Sequence, residues 1–119
     1  MNTAIDFTTI TADKSCWGLL QELNKAILST SKSVKYRIFP IYIRYNEGER
    51  PVALIFFRGK RLAKSGGVEL GLNIGDAKLP KGFDDGKQMK YPEINCGIKL
   101  NASSTLSKQL LEVIALTKK

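Results

Sequence analysis

The residues best able to do chemistry in this chain are cations and aromatics set side by side. Tyr36, Arg37, Tyr42, Arg44 and Tyr45 interleave within one β-branched, aromatic stretch, and Arg58, Lys60, Arg61 and Lys64 crowd in after a second apolar run. Farther on, Lys78, Lys81, Lys87 and Lys90 surround Phe83 and Tyr91. Lys and Arg neutralise phosphates and aromatic rings stack on bases, so the pattern suits a polyanion, with single-stranded or duplex nucleic acid as the leading ligand. Bulk charge agrees: 19 Lys and Arg stand against 11 Asp and Glu, a net charge of +8. The expected polyanion patch is Arg44, Arg58, Lys60, Arg61 and Lys64. The expected pocket or partner face is Tyr36, Tyr42, Phe83 and Tyr91. A solvated basic surface with tyrosines at the core margin would give the same pattern, and no RNP-like or helix-turn-helix signature is present.

Catalysis finds little to work with. The chain has no histidine, which removes the commonest general base and transition-metal ligand. No catalytic residue, metal ligand or cofactor is expected, and the chain reads as a non-enzyme. Asp84-Asp85-Gly86, with Asp76 upstream, could offer carboxylates to a divalent ion, but Asp-Gly is turn chemistry and the spacing fits no EF-hand. Gly66-Gly67 and Gly82 match no phosphate-cradling pattern and read as turn glycines. Gly71, Gly75 and Gly97 sit in or beside strands, where a bulge or a close backbone approach accounts for them. Cys16 and Cys96 fall on apolar faces, so both are expected to be free, buried thiols in a reducing compartment.

These residues must be positioned by a small set of elements. With 43% hydrophobic residues, five Phe and four Tyr, residues 1–119 make one α+β domain with a core of its own. Asp13 looks like a helix cap, and Cys16, Leu19, Leu20, Leu23, Ala26 and Ile27 keep helical spacing until Ser29. Residues 34–45 read as one strand, with Pro40 marking an edge or a bulge. Asn46–Glu49 is a turn, and residues 52–57 form a strand apolar on both faces, hence central. Val68, Leu70, Leu72 and Ile74 alternate as a one-faced strand, and Ile94, Cys96, Ile98 and Leu100 as another. Ser103 or Ser104 caps a closing helix with Leu106, Leu110, Val113 and Ile114 on its buried stripe. The prediction is a four-stranded antiparallel meander with N- and C-terminal helices on one face, in the order α-β-β-β-β-α. Residues 75–91 form an unusually long connection. No secretory signal and no membrane span are expected, so the cytoplasm is the default location.

From Tyr36 onward the chain resembles the bacterial domain-of-unknown-function family 5655. The resemblance rests on the run Tyr36-Arg37-Ile38-Phe39-Pro40-Ile41-Tyr42-Ile43-Arg44-Tyr45, the apolar strand at 52–57 and the Leu70–Leu72 strand. The charged loop with Asp84, the Ile-rich strand and the closing helix complete it. In that family the domain occurs alone or appended to restriction-nuclease-like proteins, and it has carried the label of a predicted transport protein. The resemblance implies the α+β fold and a DNA-related context, with no catalytic residue to carry over.

Three functions follow from the sequence. The first is a small basic module binding nucleic acid or another polyanion without sequence preference. The second is an interaction or homodimerisation domain that uses an apolar sheet face. The third is a small-molecule binder with a pocket under the 75–91 loop.

Overall fold

The computed structural model describes residues 14–58, 67–91, 93–101 and 106–118. A short 3-10 turn at Lys14–Cys16 leads into helix α1 (Trp17–Leu28). Strands β1 (Val34–Ile38), β2 (Tyr42–Glu47), β3 (Arg50–Phe56), β4 (Val68–Leu72) and β5 (Cys96–Leu100) follow, and helix α2 (Lys108–Ala115) closes the described chain. The five strands form one sheet in sequence order, every pair antiparallel.

The sheet thus has five strands where four were expected. Residues 34–45 do not run straight through. Pro40 has no N–H to give a ladder and its ring fixes φ, so the chain reverses across Phe39-Pro40-Ile41. The Phe39 N–H donates to the Tyr42 carbonyl at 2.8 Å and closes this hairpin. The turn expected at Asn46–Glu49 does form, and β2 returns as β3 with Glu47 opposite Arg50.

Register then sorts the side chains. Ile43, Ile55, Leu70 and Ile98 lie in one cross-strand row, with Tyr45, Ala53, Leu72 and Cys96 in the next. This face carries both helices, as the one-sided stripes required: Leu19, Leu20, Leu23 and Ile27 of α1 and Leu110, Val113 and Ile114 of α2 share its core. A polar link crosses that core, where the buried Tyr45 hydroxyl donates to Asn24 Oδ1 at 2.6 Å. Burial drives this phenol well above its ordinary range, with Tyr36 adding to the effect. At the periphery, Arg50 Nη2 donates to Glu47 Oε1 at 2.9 Å and to the Thr117 carbonyl at 3.0 Å, tying the β2–β3 hairpin to the end of α2.

The helix caps differ from expectation. Asp13, Ser103 and Ser104 lie outside the described residues. The cap of α2 is Ser107, whose Oγ accepts from the Leu110 N–H at 3.1 Å. Leu106 therefore packs half-buried ahead of the helix rather than on it.

The opposite face is covered by the connection between β4 and β5. Here Leu54 packs with Met89 and Ile94, flanked by half-buried Tyr42, Phe56 and Tyr91. As its two-sided pattern required, β3 is the middle strand and is buried from both sides. The one-sided readings of β4 and β5 need correction. Every residue of β4 is buried, Glu69 and Gly71 included. Ile94 precedes β5 and turns onto the face opposite Cys96.

The connection is anchored at both ends and clipped in the middle. Asn73 Nδ2 donates to the Pro51 carbonyl at 2.8 Å, while Asn95 Oδ1 accepts from the Ile74 N–H at 2.9 Å. Asp84 exchanges two backbone hydrogen bonds with Gly97, both at 2.8 Å, on the outer edge of β5. A 3-10 turn at Lys87–Met89 then lays Met89 over paired Gly71 and Gly97. A Cβ on Gly97 would lie 2.9 Å from Met89 Cε and 2.5 Å from Asp84 Oδ1, so these two glycines make the close approach possible.

Two outcomes check this packing. Leu23→Ala and Leu110→Ala should each cost about 2–5 kcal/mol in denaturant unfolding, as buried truncations on the same core. Gly67→Ala should cost more than Gly71→Ala. At Gly67 the new Cβ collides with the backbone carbonyl of Leu100 and lies 2.8 Å from the Asn101 Cα. At Gly71 the first obstacle is the Met89 tail, which can swing, so overpacking there should stay within about 1–3 kcal/mol.

Candidate functional site

The turn at Phe39-Pro40-Ile41 decides where the cations go. Because β1 and β2 fold back on each other, Arg37 stands directly opposite Arg44, and Lys35 opposite Asn46. All four side chains share the helix-free face by strand alternation. They line a shallow groove of about 210 Å³ together with Tyr36 and Gly48. Lys35 and Arg37 are exposed, and Arg44 is half-buried.

An aromatic ladder adjoins this groove. Phe39 stacks on Tyr42 with ring centroids 4.7 Å apart and planes 11° apart, and Tyr42 stacks on Phe56 at 5.1 Å. The guanidinium carbons of Arg37 and Arg44 lie 5.3 and 5.0 Å from the Phe39 centroid, within cation–π range. Arg44 Nη1 reaches the Tyr91 hydroxyl at 3.5 Å, while its Nε is buried without an acceptor. No carboxylate meets Lys35, Arg37 or Arg44 among the described residues. Two guanidiniums directly opposite one another repel, so among the described residues this charge is held together by the backbone and the rings.

The expected site residues scatter against this geometry. Arg44 belongs to the groove. Arg58 is exposed just beyond β3, but Arg44 pairs with Leu54, four residues short of it, so the two lie about 13 Å apart along the strand direction. Lys60, Arg61 and Lys64 lie outside the described residues. The expected partner face also divides. Tyr42 and Tyr91 sit on the helix-free face, whereas Tyr36 packs beside Tyr45 at 6.0 Å and Phe83 joins the helix-side core. The groove and ladder also hold Lys35, Arg37, Phe39 and Phe56, which the clustering of cations along the sequence does not single out. The space beneath the 75–91 connection is filled by its own Met89 and Tyr91, with Ile94 beside them.

The acidic turn is tied up locally. Asp84 Oδ1 accepts from the Gly86 N–H at 2.8 Å and from Gln88 Nε2 at 3.0 Å, and Asp85 Oδ1 accepts from the Lys87 N–H at 3.1 Å. These carboxylates hold the turn together. Among the described residues no three His, Cys, Asp or Glu side chains gather as metal ligands. Both thiols are buried and neither forms a disulfide, as their apolar positions required. Burial, with Asp84 nearby, pushes the Cys96 thiol up to about 11, away from the thiolate a nucleophile needs. Among the described residues no helix is long and apolar enough to cross a membrane. No protein-family model, curated protein or solved structure matches the chain.

The Cys96 environment sets a pH dependence. Its pKa is higher folded than unfolded, where a thiol ionises near about 8.5, so folding favours the protonated form. That contribution is complete below about pH 8.5 and is lost as pH rises toward 11. Cys96→Ala should therefore flatten the alkaline fall of unfolding free energy over that window. In the native protein at pH 8, a thiol reagent should label neither cysteine until denaturant is added.

Proposed function

We propose that this domain is a non-enzymatic binding module for nucleic acid or a comparable polyanion, held on the helix-free face at the β1–β2 edge. One observation carries the reading. Lys35, Arg37 and Arg44 line a single groove, and none of them meets a carboxylate among the described residues. Cations gathered without counter-charges on a rigid sheet raise the local potential and favour phosphates. The net charge of +8 acts in the same direction over longer range. Binding of this kind rests on backbone phosphates and tolerates sequence variation.

The interaction-domain alternative has less support on this face. The apolar residues around Leu54 are covered by the chain's own connection, which leaves mainly the aromatic ladder and the cations at the open edge.

The test is a salt series with fluorescently labelled oligonucleotides. Each cation that meets a phosphate should add nearly one unit to the slope of log affinity against log salt. Replacing Lys35 and Arg37 by Glu together should weaken binding and flatten that slope by about two units. Both residues are exposed, so the melting temperature should stay nearly unchanged. Salt-insensitive binding, or none at low ionic strength, would remove the polyanion reading. A flattened slope from Lys60→Glu with Arg61→Glu, and none from the first pair, would move the site to the 58–64 connection.

A further inference from the structure

We infer that the ligand of this face is a single strand whose exposed base continues the protein's own aromatic stack; this rests on the polyanion reading above and narrows it. The ladder runs outward across the sheet, from Phe56 on β3 through Tyr42 on β2 to Phe39 in the turn at the β1 edge. Its inner end is packed against Leu54, Met89 and Ile94. Its outer end carries two guanidiniums over Phe39, one of them on the exposed Arg37.

A guanidinium resting on a ring has a specific chemistry. It is planar, so its other face can take a second flat group while its N–H donors point sideways, in plane, toward oxyanions. A nucleobase is such a group, and base stacking on aromatic rings or arginine planes is how unstacked strands are recognised. Lys35 lies on the same strand face as Arg37, about 7 Å along β1, where it can meet a neighbouring phosphate. Arg44, steadied by Phe39 and the Tyr91 hydroxyl, offers in-plane donors beside it. A duplex presents the same phosphates, but its base faces are occupied by its own neighbours. It can meet the cations and cannot extend the stack.

The experiment compares three labelled ligands of equal length at low salt: a mixed-sequence single strand, the same sequence as a duplex, and a strand with abasic spacers in place of its bases. The single strand should bind at least about fivefold more tightly than either of the others, the equivalent of one stacked base. Arg37→Lys keeps the charge and loses the plane. It should erase that advantage while leaving the salt slope unchanged, whereas Lys35→Gln should lower the slope and spare the advantage. Equal, salt-sensitive binding of all three ligands overturns this inference and leaves the polyanion reading intact. Absence of binding to all three overturns both. An advantage that survives Arg37→Lys places base recognition elsewhere and also overturns it.

Discussion

A middle strand that is apolar on both sides forces the sheet to be covered twice. In β3, Ala53 and Ile55 face the helices while Leu54 faces away, and all three are fully buried. With both described helices on one face, the second cover comes from a connection. The chain supplies it between β4 and β5, and the price is paid in side-chain volume: Gly71 and Gly97 lie paired where Met89 must come down. Each is depleted in strands for good reason, yet here the missing Cβ is what admits the connection.

That cover reaches only part of the face. It is clipped to the β5 edge by Asp84 and closed at its base by Asn73 and Asn95, so it lies over β3, β4 and β5. It touches β2 at Tyr42 and, through the Tyr91 hydroxyl, at the Arg44 guanidinium. Beyond that point Lys35 and Arg37 of β1 are exposed among the described residues, and Arg44 of β2 stands beside them. The face proposed to bind is the part that this cover leaves bare among the described residues. A charged edge also guards the sheet: Lys35 and Arg37 on β1 would meet like charges if two copies paired edge to edge.

Much of this was legible in the residues. The α1 stripe, the centrality of β3, the turn after Asn46 and the burial of both cysteines follow from periodicity and turn chemistry, which act over a few residues. The β4 and β5 patterns misled because their polar-side positions are small or buried for reasons that lie elsewhere in the chain. Glu69 is buried and accepts from Gln88 Nε2 at 2.8 Å, a partner contributed by the distant connection. Nothing near Glu69 in the sequence announces that partner. Several serines precede α2, and only the hydrogen bond to Leu110 singles out Ser107 as its cap.

The candidate site shows the division most plainly. Sequence alone determined that cations and aromatics would be neighbours along the chain and that the domain would be strongly basic. Arg37 and Arg44 are seven residues apart, and on one continuous strand an odd spacing puts two side chains on opposite faces. The reversal at Phe39-Pro40-Ile41 undoes that parity and sets them across from each other on the same face, with Phe39 between them. The same register carried Arg58 away from Arg44. Which cations share a surface is therefore decided by strand pairing, because the two-residue turn Pro40-Ile41 pairs residues an odd number apart and sets them on one face.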